Sequence, residues 1–145
     1  MKVLLVGLPG AGGTTVGALI GQRLGCPFLD DDAVVARAGS ADHALTLLMG
    51  VPGDLVAVVP DEVMDDPAAR ARIAGSGAHV VWLRCSVPVL ARRLSAQWGQ
   101  EAAMRLRKLV AERGDAYEQL AHQVVDTDAY PAGAVANTVI AGLPA

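Results

Sequence analysis

Aromatic residues are scarce in this sequence, which has one Phe, two Tyr and two Trp among 145 residues. Proteins that bind single-stranded nucleic acid stack bases on aromatic side chains, and this chain has little material for such a surface. Its charges point the same way, because 12 basic residues are outnumbered by 15 acidic ones and are not clustered. We therefore expect no nucleic-acid partner.

Cysteine is scarce too. Cys26 and Cys85 have no C-x-x-C spacing and no histidine at a ligand spacing, so neither a disulfide nor a metal site is indicated. We expect both to be small buried hydrophobic residues in a protein of a reducing compartment.

Long hydrophobic runs are also missing. No stretch is long enough to span a bilayer, and the apolar start at residues 1–8 is too short for a signal-peptide core. We expect a cytoplasmic protein without a membrane partner. The sequence leaves open whether it is a monomer or a homodimer.

The sequence is nevertheless rich in aliphatic residues. Hydrophobic residues make up 52% of the chain and charged residues 19%, which excludes a disordered protein and predicts an aliphatic core. A length of 145 residues suits one domain, so we expect a single domain over residues 1–145.

Short apolar segments alternate with segments of helical spacing. The apolar segments predict strands at 2–6, 27–29, 55–59, 79–83 and 123–125. The helical spacing predicts helices at 14–24, 32–37, 41–49, 66–75, 86–97, 101–121 with an interruption near Gly114, and 128–143. Ser40 is a candidate N-cap, as is Asp65 or Asp66. This alternation predicts an α/β fold, a three-layer αβα arrangement with a five-stranded parallel sheet and helices on both faces.

A glycine-rich loop separates the first predicted strand from the first helix. It matches the P-loop (Walker A) pattern G-x-x-x-x-G-K-[ST] except that glycine replaces the lysine. In a P-loop, backbone N–H groups and the helix N-terminus hold phosphate, the lysine neutralises phosphate charge and the hydroxyl holds magnesium. The candidate phosphate-binding residues are Gly7, Gly10, Ala11, Gly12, Gly13, Thr14 and Thr15.

Two interpretations of this degenerate loop remain open. Its glycines could serve only a tight turn, but the position between a strand and a helix favours a phosphate-binding origin. A charge-assisted contact contributes about 1.5–3 kcal/mol, and more in a dry site. Replacing lysine by Gly13 should therefore cost orders of magnitude in rate of any phosphoryl transfer.

Beyond the loop, the order of motifs resembles the shikimate kinase family. The opening has the family's strand, glycine loop, helix, L-G-x-x-F and Asp-x-Asp pair. The closing third has the tail pattern Leu109-x2-Glu112-Arg113-x3-Tyr117-x3-Ala121-x4-Val125-Asp126-Thr127-Asp128, preceded by the strand at 80–83. The resemblance covers roughly two thirds of the chain and implies the fold of a P-loop small-molecule kinase.

The resemblance also implies an activity and its residues. The family transfers the ATP γ-phosphate to a small-molecule hydroxyl with Mg²⁺. The resemblance implies that Thr14 and Asp30 hold magnesium. It also implies that Asp32 contacts the substrate hydroxyl and acts as the base, and that Arg113 binds the substrate carboxylate. The residues by themselves also allow Asp32 to be a helix N-cap, Asp30 and Asp31 a solvated turn, and Arg113 a surface arginine.

Several parts of the family pattern are absent. Between Arg37 and Arg70 His43 is the one basic residue, so the second carboxylate-binding arginine is missing. The family's Gly-Gly-Gly turn is replaced by residues 59–62, where Asp61 could order magnesium or belong to a turn. The lid is cut to residues 97–104. We therefore expect shortened substrate-binding and lid regions, with Arg105, Arg107 or Lys108 as candidate substitute cations.

Three functions are consistent with this pattern. The first is a shikimate-kinase-like enzyme impaired by loss of the lysine. The second is a non-catalytic homologue, a pseudoenzyme that binds nucleotide or phosphate or has become a partner-binding domain. The third is a nucleotide kinase or a gluconate-kinase-like enzyme on the same scaffold, because the fold does not set the acceptor.

Overall fold

A five-stranded parallel sheet forms the centre of the computed structural model, which describes residues 1–144. The strand order is β2-β3-β1-β4-β5. The strands are β1 (Lys2–Val6), β2 (Phe28–Leu29), β3 (Leu55–Val58), β4 (His79–Arg84) and β5 (Gln123–Asp126). The predicted α/β fold with a five-stranded parallel sheet is confirmed.

Helices connect these strands and cover both faces of the sheet. They are α1 (Gly13–Leu24), α2 (Asp31–Ala38), α3 (Ala41–Gly50), α4 (Asp61–Met64), α5 (Pro67–Ala74), α6 (Val87–Arg93), α7 (Ser95–Trp98), α8 (Ala102–Leu120) and α9 (Ala132–Ala141), with a 3₁₀ turn at Gly99–Glu101. Ser40 caps α3 by accepting from the His43 N–H at 3.2 Å. Asp66, rather than Asp65, caps α5 by accepting from the Ala68 N–H at 3.0 Å.

Strand alternation divides the core between the two sheet faces. Side chains at successive strand positions point to opposite faces, so Leu4 packs with α3, α4 and α5 on one face. Leu5 packs with α1 and α9 on the other. Both side chains are buried, which fixes β1 at the centre of the molecule.

The central strand delivers the glycine loop to the carboxyl edge of the sheet. β1 pairs with β3 on one side and with β4 on the other. The strands that follow β1 in sequence are therefore added first on one side of it, as β2 and β3, and then on the other side, as β4 and β5. In open α/β sheets, ligands bind outside the carboxyl ends of the strands at such a switch point. The topology thus selects the loop after Val6 as the place to look for a site.

Two predicted helices differ from those in the structure. α8 continues through Gly114 without a break, because the roughly 1 kcal/mol that glycine costs a helix interior is offset by burial of Leu106 and Tyr117. The helix predicted at 86–97 divides at Leu94 into α6 and α7.

Two further differences lie at segment ends. Residues 61–64, where the sequence suggested a turn, form the short helix α4. The last helix begins at Ala132 rather than at 128, because Pro131 disfavours helix in the residue before it and the Asp128 carboxylate accepts from the Ser86 N–H at 2.8 Å.

Both cysteines are free thiols and are only partly buried. Burial raises the pKa of each thiol. In the part of the chain that the structure describes, no helix combines the length and the apolar character needed to cross a membrane.

Candidate functional site

The glycine loop has the backbone geometry of an anion-binding turn. Gly10 and Gly12 have φ values of 86° and 91°, a region that side chains rarely adopt. Gly7 is the first glycine of the loop, and a Cβ built on it would lie 2.8 Å from the Leu83 carbonyl oxygen, too close for any other residue to fit without a shift. The first N–H groups of a helix have no intrahelical acceptor, so α1 offers those of Gly13 and Thr14 to an anion.

A cleft of about 420 Å³ opens beside this loop. Besides the loop, its lining includes Asp31 at the start of α2, Asp61 at the start of α4, Val58 and Val59. No lysine or arginine among the described residues lines it. The cleft therefore has backbone donors for phosphate but no side-chain cation facing it.

Valine occupies the space beside the missing lysine. A Cβ built on Gly13 would lie 3.2 Å from Val58 Cγ2 and 3.5 Å from Val58 Cγ1. The first distance is tighter than ordinary van der Waals contact, so a side chain at position 13 requires Val58 to move by a few tenths of an ångström. The packing around the loop thus fits glycine.

The two residues that the sequence assigned to magnesium lie in contact. Thr14 Oγ1 donates to Asp30 Oδ1 at 3.0 Å. Asp30 sits at the N-cap of α2 but makes no side-chain cap. Carboxylate and hydroxyl oxygens are hard donors of the kind that Mg²⁺ takes, and carboxylate oxygens of Asp30, Asp31 and Asp32 all lie within 4.8 Å of one another.

The three successive aspartates Asp30, Asp31 and Asp32, here called the acidic triplet, have different environments. A hydrogen bond with Asp31, and then the one from Thr14, lowers the pKa of Asp30. Burial, followed by the hydrogen bond with Asp30 and the neighbouring negative charges, raises the pKa of Asp31 to about 7. Asp32 is exposed and is not among the residues lining the cleft.

Asp31 was not singled out by the sequence analysis. Asp31 opens α2 and lines the cleft beside the glycine loop, whereas the predicted base Asp32 does not line it. The triplet itself was the available signal, but one-residue differences in where a helix begins cannot be read from three successive aspartates.

The predicted substrate arginine is bound by two carboxylates of the chain itself. Arg113 donates from Nε to Asp65 Oδ1 at 2.9 Å and from Nη2 to Asp65 Oδ2 at 3.1 Å. Its Nη1 lies 3.3 Å from Asp61 Oδ1, without hydrogen-bond geometry. The side chain is only 11% exposed. Arg113 is therefore a mostly buried arginine paired within the chain, rather than the exposed surface residue that the sequence also allowed.

Burial and charge pairing have opposite effects on the pKa values of Arg113 and Asp61. Burial by itself would lower the pKa of Arg113, but its pairing with Asp65 and Asp61 raises the pKa overall. Burial raises the pKa of Asp61, and the charge of Arg113 opposes this effect only in part. The Asp61 carboxylate is thus incompletely compensated where it lines the cleft.

A cation that the sequence analysis missed does reach the glycine loop. Arg93, at the end of α6, donates from Nη1 to the Gly10 carbonyl at 3.0 Å and from Nη2 to the Thr127 carbonyl at 3.3 Å. A cavity of about 210 Å³ lies beside this contact, and its lining includes Gly12, Arg93 and Tyr130. The buried Thr127 Oγ1 has no hydrogen-bond partner within residues 1–144.

The three cations suggested as substitutes have other contacts or none. The Arg105 guanidinium lies over the Trp98 ring at 4.0 Å from its centroid. Lys108 Nζ lies 3.9 Å from Glu112 Oε1, and its side chain is 77% exposed. Arg107 is exposed on α8. None of them lines the cleft or the cavity beside Arg93.

A cavity of about 740 Å³ lies farther along the sheet edge, between β4, α6 and α8. Its walls include Trp82, Leu90 and Tyr117, with Asp126 and Asp128 among its polar groups. None of the residues assigned to phosphate, magnesium or acceptor lines it. Size alone does not make it the site, because the candidate chemistry converges on the smaller cleft.

Comparison with protein families gives a match to the shikimate kinase model over residues 57–144. This match begins after the glycine loop. A shikimate kinase of Stenotrophomonas maltophilia is 33% identical over 164 residues, covering 96% of this chain and 90% of that protein. A shikimate kinase of Mycobacterium avium is 29% identical over 177 residues, covering 99% and 94%.

Solved structures share the fold at lower sequence identity. A shikimate kinase from Acinetobacter baumannii in complex with shikimate superposes with a TM-score of 0.82 at 22% identity, covering 96% of this chain and 90% of that one. A gluconokinase from Sinorhizobium meliloti superposes with a TM-score of 0.72 at 21% identity, covering 97% and 90%.

Proposed function

Because this chain belongs to the shikimate kinase family, we propose that its glycine loop binds the phosphates of a nucleotide such as ATP, and that phosphoryl transfer to a small-molecule hydroxyl is impaired. The observation that carries this proposal is the loop at residues 7–15, with glycines at positive φ ahead of α1. Residues 1–145 would then form one domain with short acceptor and lid regions.

Magnesium fits the oxygen donors beside the loop. Thr14 and Asp30, already in contact, would hold the ion, which neutralises phosphate charge when it is bound. We keep Asp31 outside this pair because the hydrogen bond from Thr14 goes to Asp30.

Arg93 is the proposed replacement for part of the lost lysine charge. It lies at the outer edge of the loop, bonded to the Gly10 carbonyl, and a guanidinium can turn from a carbonyl to a phosphate oxygen at modest cost. It lines the cavity beside the loop and not the cleft itself. We therefore propose that it supports nucleotide binding more than transfer.

In the transfer itself, the acceptor oxygen bonds to the γ-phosphorus as the bond to the β–γ bridging oxygen breaks, and ADP leaves. The hydroxyl proton passes to a carboxylate. The family pattern gives the role of proton acceptor to Asp32. We keep Asp32 as the proposed base and add Asp31 as a second candidate. Arg113 is proposed to belong to the acceptor wall.

A second candidate function is nucleotide binding without catalysis. It is favoured by the approach of Val58 to Gly13, because the loop lacks the lysine charge and a side chain at position 13 would also require Val58 to shift. A non-catalytic protein could instead bind a partner protein, which is the other form of this second candidate.

Calorimetric titration with Mg-ATP tests the proposal. We expect binding by the native protein, about tenfold weaker binding by Arg93→Ala because a charge-assisted contact is lost, and unchanged binding by Arg92→Ala. Arg92 is a matched control because it removes the same charge from the same helix end. An absence of binding by the native protein would contradict the proposal.

Turnover separates the two candidate functions. ADP release with hydroxy acids and with amino sugars, compared with the Asp30→Asn and Asp32→Asn variants, should exceed their background with at least one acceptor if transfer persists. Equal rates together with ATP binding identify a non-catalytic nucleotide binder.

A further inference from the structure

Two carboxylates from different elements line the cleft beside the glycine loop. Asp31 opens α2 and Asp61 opens α4, and both lie in the lining of the same space of about 420 Å³. The remaining lining consists of the loop, Leu5, Val6, Val58, Val59 and Leu83. Any group that enters beside a bound phosphate therefore meets two carboxyl groups and aliphatic surface, and no lysine or arginine among the described residues lines this space.

The arginine beside Asp61 is already paired with carboxylates of the chain itself. Both oxygens of Asp65 accept from Arg113, and Asp61 Oδ1 lies 3.3 Å from Nη1. A ligand carboxylate could reach the guanidinium only by displacing Asp65 or by becoming a third carboxylate around one cation. Displacement gives up the two hydrogen bonds between Asp65 and Arg113, and crowding a third carboxylate around one guanidinium adds like-charge repulsion.

We propose that the acceptor recognised by this cleft is a hydroxy compound that carries an ammonium group rather than a carboxylate, with Asp61 accepting from its N–H or O–H groups. This inference rests on the proposed nucleotide-dependent function of the same cleft. Arg113 and Asp65 are positioning residues in it: Asp65 holds the guanidinium, and the guanidinium holds Asp61 at the wall.

The electrostatics of the free protein support this assignment. Burial raises the pKa of Asp61 despite the neighbouring arginine, which means that its negative charge is under-compensated in the free cleft. A ligand ammonium supplies the missing compensation, whereas a ligand carboxylate makes the imbalance worse.

Two six-carbon probes separate the alternatives. Glucosamine and gluconate share a polyhydroxy chain and differ in bearing an ammonium or a carboxylate group. We would measure their binding by ligand-observed NMR with Mg-ADP present, and also without nucleotide. We expect the native protein to bind glucosamine at least about tenfold more tightly than gluconate.

Substitutions on the wall test the source of this preference. Asp61→Asn should reduce the preference for glucosamine severalfold, whereas Glu62→Gln should leave it unchanged. Glu62 is a matched control because it removes a neighbouring charge from α4 but does not line the cleft. Asp65→Asn frees part of the arginine and should tighten gluconate binding, a gain that misfolding cannot mimic.

Other results would overturn the inference. Tighter binding of gluconate than glucosamine by the native protein contradicts it, as does absence of glucosamine binding at millimolar concentration. Loss of the preference in both Asp61→Asn and Glu62→Gln assigns the effect to overall charge and contradicts the role of Asp61. Calorimetry with Mg-ATP tests the proposed function separately. If the protein binds nucleotide but prefers gluconate to glucosamine, only this inference is contradicted. If it binds glucosamine but no nucleotide, only the proposed function is contradicted.

Discussion

At the scale of single residues, the glycine loop departs from the P-loop pattern at one position, where glycine stands in place of lysine. The loop has glycine instead of a cation at position 13, and a Cβ added there would lie 3.2 Å from Val58 Cγ2. Charge and packing have changed together, so restoring the charge alone leaves a steric cost. The loop backbone, by contrast, retains the positive-φ glycines at positions 10 and 12.

Gly13→Lys should increase affinity for Mg-ATP by roughly tenfold or more, because a charge-assisted contact contributes about 1.5–3 kcal/mol. The double variant with Val58→Ala should gain more, since it removes the close contact at 3.2 Å. Titration calorimetry measures both. Gly13→Gln is the control because it brings a stem of similar kind without the charge.

The same lysine variant should not phosphorylate shikimate efficiently. A carboxylate acceptor still meets an arginine that is already paired with Asp65. Coupled measurement of ADP release with shikimate checks this expectation. Efficient turnover by Gly13→Lys would show that the acceptor wall tolerates a carboxylate.

At the scale of elements, α8 carries the two side chains that support the site. Arg113 donates to Asp65, the residue that follows α4. Tyr117 donates to the Gly7 carbonyl in the glycine loop at 3.2 Å. Between them lies Gly114, which the sequence suggested as a break and which the structure holds in helix. The rigidity of α8 therefore bears on the geometry of both contacts.

Gly114→Ala should stabilise the protein by about 0.5–1 kcal/mol, because alanine loses less backbone entropy than glycine on entering a helix. Its Cβ would meet only Val110 Cγ1 at 3.9 Å, an ordinary contact. Urea unfolding measures the change.

Gly17→Ala in α1 is the contrasting substitution. A Cβ there would lie 2.4 Å from Phe28 Cε1, so we expect this variant to be destabilised by overpacking. If Gly114→Ala also lowered stability, α8 would have to be strained at that turn.

At the scale of the whole molecule, contacts between distant segments close the structure around the loop. Tyr117 joins the loop to a residue 110 positions later, and Arg93 joins it to one 83 positions later. These bonds connect the first strand's loop with the second half of the chain. The site is therefore complete only in the folded protein.

Tyr117→Phe should lower the free energy of unfolding by about 0.5–1.5 kcal/mol through loss of its hydrogen bond. The native protein should also lose stability as the pH rises from about 10 to about 12. Burial raises the pKa of Tyr117 to about 12 from its ordinary value of 10. The fold thus favours the neutral phenol, and that contribution is complete below pH 10 and lost above it.

Urea unfolding across this alkaline range checks both expectations. Tyr117→Phe should show a smaller alkaline loss of stability than the native protein. Tyr130→Phe is the control because its side chain is 62% exposed. Equal alkaline losses in the native protein and Tyr117→Phe would assign the effect to other groups.

Local patterns were enough to predict much of the fold. The apolar segments at 2–6, 55–59 and 79–83 correspond to β1, β3 and β4, and the glycine loop falls between β1 and α1 as expected. The differences concern marginal segments such as α4, whose four residues carry little periodic signal.

The sequence by itself determined the parallel α/β fold, the family and the absence of the loop lysine, because strand composition, glycine spacing and residue identity are properties of short segments. Only the tertiary structure decided that Arg113 is paired with Asp65, that Asp31 rather than Asp32 lines the cleft, and that Arg93 donates to the Gly10 carbonyl. These outcomes depend on which side chains from distant segments meet after folding, and neither the partner of an arginine nor the direction of a carboxylate is encoded by its neighbours in the chain.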